Sequence, residues 1–444
     1  MKILFVQPPK TESSISSVDL AMGEPLAFEI LAANLPEYDV RILDLRLEAP
    51  GALEKTISEF KPDVVGTTAF TVELYKARAL LENVKKIDKN IITMIGGHHA
   101  TLMPEDFDKD YIDIIVMGEG ERIIKEVVDC IRTKTDMSGI DGIGVLVNSV
   151  RKYNKRKGLI MNIDELPFPN RKLTSHYRKD YFRGKWKPVT SVFSSRGCPY
   201  KCDFCAMWKV YDGKFRIRSA KRFVDELEMI PEKFININDD NTLQNIAYSS
   251  EICNEIRKRG IKKTYKIYGR SDTIAKHPEL VEEWKSIGME LVLIGVEAFK
   301  DKDLIERNKK NTIKNNEDAI KILHKNGVEV IAYFLVDQNF TEEDFKQMAK
   351  YTQNLELTHP VFTILTPFPG TDLYEKTKGQ LTTANFELFD VFHSVLPTKI
   401  PLKEFYLNFV ELYRSAYSKK DNKFLSADMV NSLVGKFMAA HSMS

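Results

Sequence analysis

Apolar residues fall in two rhythms along this chain. In the first 130 residues, short, predominantly apolar runs at 2–7, 40–45, 64–68, 91–95 and 112–117 read as buried strands. Between them, at 25–35, 53–60, 72–86 and 122–132, apolar positions recur with the period of a helix packed on one side. Pro8-Pro9, Gly96-Gly97 and Gly118-Glu119-Gly120 each stop a run. Strands that are predominantly apolar are covered on both faces, so this part predicts a doubly wound, Rossmann-like α/β domain with a parallel sheet. Ligands of such sheets sit beyond the carboxyl ends of the strands. The loops at that edge are 8–23, 67–70, 96–104 and 118–121.

The alternation breaks between about 134 and 190, where a glycine-rich turn at 139–144, a basic run at 151–157 and Pro167-Phe168-Pro169 read as a hairpin and a linker. It then resumes. Strands are predicted at 189–194, 234–238, 263–268, 291–295, 329–335 and 360–365, with helices at 222–229, 247–259, 278–287, 316–326 and 342–354. Six such βα units predict a partial (β/α)6 barrel of the TIM type, whose active site lies at the strands' carboxyl ends. The aromatic-rich remainder predicts helices. The partition is therefore 1–135, a linker at 136–187, a barrel at 188–385 and a small, mostly helical region at 386–444. The aromatics at 386–393 and 406–413 read as core rather than as a substrate box.

Composition narrows the classes. Lys and Arg total 65 against 63 Asp and Glu, a net charge of +2, so no basic surplus points to nucleic acid. No stretch reaches the roughly 18 consecutive apolar residues of a membrane span. The apolar start meets Pro8-Pro9 too early for a secretory signal, and a cytoplasmic protein is expected. Five cysteines, an odd number in a long chain, argue against a disulfide framework. Cys130 and Cys253 stand alone and read as buried small hydrophobes.

The other three form Cys198-Pro-Tyr-Lys-Cys202-Asp-Phe-Cys205, directly after an apolar strand. Three thiolates on one short loop can bind three irons of a [4Fe–4S] cube and leave the fourth iron open. A structural zinc site would need a fourth ligand from elsewhere. Gly197 and Pro199 suit a tight loop.

This triplet, with the aromatic Phe204 before its last cysteine and a barrel strand before it, resembles the signature of radical S-adenosylmethionine enzymes. The resemblance covers about 188–370 and includes Asn238-Asp239-Asp240, Tyr268-Gly-Arg270-Ser271-Asp272, Gly295-Val-Glu297 and 366–371. It implies a [4Fe–4S] cluster on Cys198, Cys202 and Cys205. It also implies S-adenosylmethionine held by Tyr200, Phe204, Asp239, Asp240, Arg270, Ser271 and Glu297, and its cleavage to a 5′-deoxyadenosyl radical. Asn238-Asp239-Asp240 stands where the family usually has a small-Gly-Glu segment.

A doubly wound domain ahead of such a barrel resembles the cobalamin-binding subclass. Gly96, Gly97, His98, His99, Gly118, Glu119 and Gly120 look like its loop sequences, and glycines at strand ends let backbone approach a flat ring. Asp-x-His-x-x-Gly is absent, so no histidine lower ligand of that type is expected, and His98 and His99 read as local hydrogen-bonding or corrin-edge residues. A dinucleotide fingerprint is incomplete and no P-loop is present. The resemblance implies a cobalamin-dependent methyltransferase acting on an unactivated carbon. It further implies an unidentified substrate and a reducing partner such as flavodoxin or ferredoxin. Cyclisation, rearrangement or oxygen insertion by the same cofactors is the alternative; a corrinoid carrier or redox sensor is the alternative from another class.

Overall fold

Strands β1 (Lys2–Gln7), β2 (Asp39–Asp44), β3 (Val64–Thr68), β4 (Ile92–Gly96) and β5 (Ile114–Val116) run parallel in the spatial order β2-β1-β3-β4-β5. The computed structural model describes residues 1–15, 21–147, 150–417, 431–432 and 434–437. Successive side chains of these strands enter opposite cores. Leu4, Val6, Val65, Ile95 and Ile115 pack on one face, and Ile3, Phe5, Val64, Met94 and Ile114 on the other. That two-sided burial is why the runs are predominantly apolar rather than alternating. The strand order reverses between β1 and β3, the switch point where such sheets bind ligands.

The expected hairpin is more than a connector. Strands β6 (Ile143–Val147) and β7 (Val150–Tyr153) add antiparallel to β5 and extend the sheet to seven strands. The second sheet holds β8 (Val189–Val192), β9 (Phe234–Ile237), β10 (Thr264–Gly269), β11 (Met289–Glu297), β12 (Glu329–Val336) and β13 (His359–Ile364), all parallel and in chain order. No pairing joins β8 to β13 among the described residues, so the barrel is open. Ile235, Ile237, Tyr265, Ile267, Val292 and Ile294 face the helices, whereas Leu291, Leu293, Ile331, Tyr333 and Val361 share the concave side with Trp186.

Two expectations change. Residues 386–400 are irregular apart from a short turn at Phe386–Leu388; beyond them the described residues are helical at Leu402–Tyr417, 431–432 and 434–437, so only the start of this region departs from the expected helices. Buried rings hold this part instead of helical hydrogen bonds: Phe389, Phe405 and Phe409 are fully buried, and the Tyr413 hydroxyl bonds to the backbone of Phe362. The expected helicity of 418–430 and 438–444 lies outside the described residues. Cys253 is fully buried as expected, but Cys130 is partly exposed, on a helix whose buried side is Ile124, Val127 and Val128.

Candidate functional site

The cysteine loop is fixed at its root by two aspartates. Strand β8 is buried along its length and runs into Phe193-Ser194-Ser195. Asp239, just beyond β9, accepts hydrogen bonds from the backbone N–H groups of Ser194 (2.7 Å) and Ser195 (2.9 Å) and from the Ser194 hydroxyl (2.5 Å). Asp240 accepts from the Gly197 N–H at 2.7 Å. Gly197 has φ +85°, and a methyl group there would lie 2.0 Å from the Lys214 carbonyl, so only glycine fits. Ser195–Arg196 then pairs with Arg216–Ile217 and closes the loop as a hairpin. Other strand ends hold its far side. Arg307 bonds to Asp203 through backbone and side chain, Asn308 donates to the Lys201 carbonyl, and Leu373 donates to the Asp203 carbonyl.

All three cysteines are free thiols. Burial pushes each of them up, Cys205 to about 12, while Arg270 draws Cys198 down and Lys309 with Arg270 draws Cys202 down. Buried thiols beside fixed cations are a donor set that iron can deprotonate on binding. Among the described residues, no three His, Cys, Asp or Glu side chains close around a single ion position. Three thiols on one loop are one short of the four ligands of a structural zinc and suit a cluster with one open iron.

Beside Cys202 runs a chain of charges. The Arg270 guanidinium lies 3.5 Å from the Tyr200 ring centroid, and its Nε donates to Asp272 at 2.9 Å. Its Nη2 donates to the carbonyls of Lys309 and Lys310. Lys309 Nζ donates to Glu297 at 2.6 Å. Glu297 holds φ +66°, an uncommon backbone state for a side chain of that size. A methyl group on Gly295 would sit 2.0 Å from the Glu297 carboxylate, which accounts for glycine there. Ser271 is turned into an amide network with Asn311 and Asn316. Phe204 is half-buried between two of the cysteines in sequence.

Facing this loop is a cavity of about 320 Å³. One wall is the carboxyl edge of β1, β3, β4 and β5, with Gly66, Gly96, Gly97, Gly118 and Gly120; the other is Ser195, Arg196, Asn238 and Asp240. A methyl group on Gly97 (φ +97°) would lie 2.3 Å from the Thr68 hydroxyl, and Gly118 is also at positive φ, so this wall is bare backbone by necessity. Phe5, Phe28, Met94 and Val116 make much of the rest apolar. Bare backbone beside apolar side chains suits a broad, flat ring with amide arms. Burial pushes Asp240 up to about 6, against the Gly197 hydrogen bond.

The adjacent histidines separate. His98 lines the cavity, stacks on Phe70 at 4.9 Å, and is pushed down by burial to about 4, so it is neutral at neutral pH. His99 is buried; Nδ1 meets the Thr71 hydroxyl at 3.1 Å and Nε2 meets Asp106 at 2.9 Å. His99 thus braces the loop from behind. Glu119 lines the cavity, yet its carboxylate bonds to Arg216 (2.8 Å), Arg196 (2.9 Å) and the Ile160 N–H (2.8 Å). Although burial opposes it, these partners hold Glu119 below the usual carboxylate range. Sequence reasoning missed Arg196, Arg216 and Lys309, because each pairs across the fold with residues that no local motif links to it.

Residues 20–128 match the B12 binding domain family, and residues 192–352 match the radical SAM superfamily. The hopanoid C-3 methylase of Methylococcus capsulatus is 29% identical over 445 residues, 99% of this chain and 84% of that protein. An uncharacterised methyltransferase of Pyrococcus horikoshii is 30% identical over 411 residues, 90% of this chain and 88% of that one. An anaerobic magnesium-protoporphyrin IX monomethyl ester cyclase of Rubrivivax gelatinosus is 28% identical over 408 residues, 88% and 72% of the two chains. The fold is that of the radical S-adenosylmethionine methyltransferase TsrM from Kitasatospora setae, solved with cobalamin and a [4Fe–4S] cluster. The TM-score is 0.73 at 16% identity, covering 100% of this chain and 99% of that one.

Proposed function

The chain belongs to the cobalamin-dependent radical S-adenosylmethionine enzymes, and from that membership we propose that it methylates a carbon centre lacking nucleophilic character. The observation that carries the reading is the cavity walled by both halves: the glycine edge of the first sheet faces the cysteine loop and the ends of β8 and β9. When bound, the cluster with S-adenosylmethionine supplies a carbon radical, and the corrin supplies the methyl group. Cys198, Cys202 and Cys205 hold the cluster. Tyr200, Phe204, Asp240, Arg270 and Glu297 face S-adenosylmethionine, while Asp239 and Ser271 set the strand ends that present them. Gly96, Gly97, His98, Gly118 and Gly120 receive the corrin, with His99 and Glu119 fixing that wall. The boundaries at about 188 and 386 belong to the same proposal, while the first domain extends past 135 to about 153 because β6 and β7 join its sheet. With both cofactors bound beside this one volume, a carbon in it would be within reach of each, so positioning would do much of the work.

The electron comes from a one-electron donor of the flavodoxin or ferredoxin class. No described helix is long and apolar enough to cross a membrane. We place the protein in the cytoplasm, where five free thiols remain reduced.

Methyl-deuterated S-adenosylmethionine, a reductant and a substrate test the reading. Methyl transfer predicts S-adenosylhomocysteine and 5′-deoxyadenosine in about equal amounts and label in the product. Similarity to a cyclase favours a second reading, in which 5′-deoxyadenosine forms without S-adenosylhomocysteine and the product carries no label.

A further inference from the structure

Lys266 is the third residue of β10. Its neighbours Tyr265 and Ile267 belong to the core on the helix side, so Lys266 faces the concave side of the barrel with Thr264 and Tyr268. It is fully buried, and its ammonium group has no hydrogen-bond partner among the described residues. It lies 2.9 Å from the Tyr268 ring centroid. The one charged group acting on it among those residues is another cation, Arg183. An ammonium taken out of water with no anion beside it is costly, and burial correspondingly pushes its pKa well down.

The surroundings connect Lys266 to the cavity. Asn236 stands beside Lys266 in the β9–β10 register and is itself buried, with its amide oxygen unpartnered among the described residues. Its amide nitrogen donates to Asn238, which is exposed and lines the cavity. On the concave side, Leu293, Tyr333, Leu335 and Val361 keep partial exposure while the residues next to them in sequence are buried. Accessible surface therefore remains on the concave side, above a floor of Trp186, Leu291 and Ile331.

We propose that Lys266 is the anion-binding end of the substrate site, taking a carboxylate or phosphate group of the substrate on the concave side of the barrel. The reacting carbon then lies above it, towards Asn238 and the cavity. The half-buried Tyr268 ring covers the ammonium until the anion displaces it. This proposal rests on the methyltransferase reading for the existence of a substrate on that side.

Two probes separate the sources of negative charge: selenate, a tetrahedral oxyanion, and 4-bromobenzoate, a carboxylate on an apolar body. Both are titrated calorimetrically into cluster- and cobalamin-loaded protein and located by their anomalous scattering in crystals. At least one should bind wild type saturably, with density at Lys266 Nζ. Lys266→Met should weaken that probe about tenfold or more. Lys266→Arg should hold it within about threefold, since charge and hydrogen-bond donors are kept. Lys266→Gln gives the same comparison if the Met variant fails to fold. Equal binding by wild type and the uncharged variants, or no binding of either probe, overturns the proposal. The same wild-type preparation is assayed for 5′-deoxyadenosine. Cleavage without anion binding removes the anion site alone. No cleavage overturns the functional reading and the anion site with it.

Discussion

Removing the side chains of Cys198, Cys202 and Cys205 together is expected to abolish both the iron-dependent absorption of reconstituted protein and S-adenosylmethionine cleavage under dithionite. Cys253→Ala keeps both and lowers stability by about 1 kcal/mol, as the loss of one small buried group should. Residual cleavage in the triple variant would sink the assignment. His99→Ala leaves Asp106 and Thr71 without their shared partner and is expected to cost about 1–3 kcal/mol in denaturant unfolding. These residues differ in how far the sequence reveals them. Three cysteines within eight positions of a chain that has five in all mark a metal-binding loop by their spacing alone. His98 and His99 are adjacent and alike in sequence; which one faces the cavity depends on the twist of a five-residue helix, His98–Leu102. Lys309 carries no local signal, because its partner Glu297 is on another element.

At the level of elements, apolar runs located the strands of both sheets well, since burial on two faces leaves room for few polar positions. The irregular segment after β13 misled, because buried aromatics signal core without specifying a backbone conformation. The seam between the halves was equally invisible. Glu119 from the β5 loop, Arg196 and Arg216 from the cysteine hairpin, and Glu121 form a buried clamp whose members are up to 97 residues apart. Arg216→Met takes one cation from Glu119 and leaves it Arg196 and the Ile160 N–H, so the expected cost is below the roughly 3–5 kcal/mol of a fully stranded buried charge. Glu119→Leu in the same chain should recover part of that loss, since Arg196 keeps Glu121 while the carboxylate that lost Arg216 is gone. A double-mutant cycle by thermal unfolding measures the recovery; strictly additive effects would mean that the clamp is not a coupled unit. Gly97→Ala tests the neighbouring wall. The strained β-carbon should abolish cobalamin binding by spectroscopic titration while the cluster still assembles.

Across the whole molecule, two groups withdrawn from water titrate in opposite senses. Glu29, in the first domain, meets Arg171 at 3.4 Å and accepts from Thr174. Arg171 in turn bonds to Glu24 and to Glu226 on the barrel side. Burial, reinforced by Glu24, pushes Glu29 up to about 7 in spite of Arg171. The folded state therefore binds a proton that the unfolded state has released, and this contribution to stability is lost as pH rises from about 4.5 to about 7. His98 is the converse. Burial pushes it down to about 4, so the unfolded state binds the proton first, and stability is lost as pH falls from about 6.5 to about 4. Each contribution is bounded at roughly 3 kcal/mol by the size of its shift. Between pH 5 and 6.5 the two slopes oppose one another, and cofactor-free wild type should change little on their account. Glu29→Gln removes the falling component, so its stability should rise with pH more steeply than that of wild type. His98→Phe removes the rising component, so its stability should fall relative to wild type over the same range. Urea unfolding of the cofactor-free proteins at several pH values reads both slopes. Parallel pH profiles for the three proteins would mean that neither group titrates as its surroundings dictate.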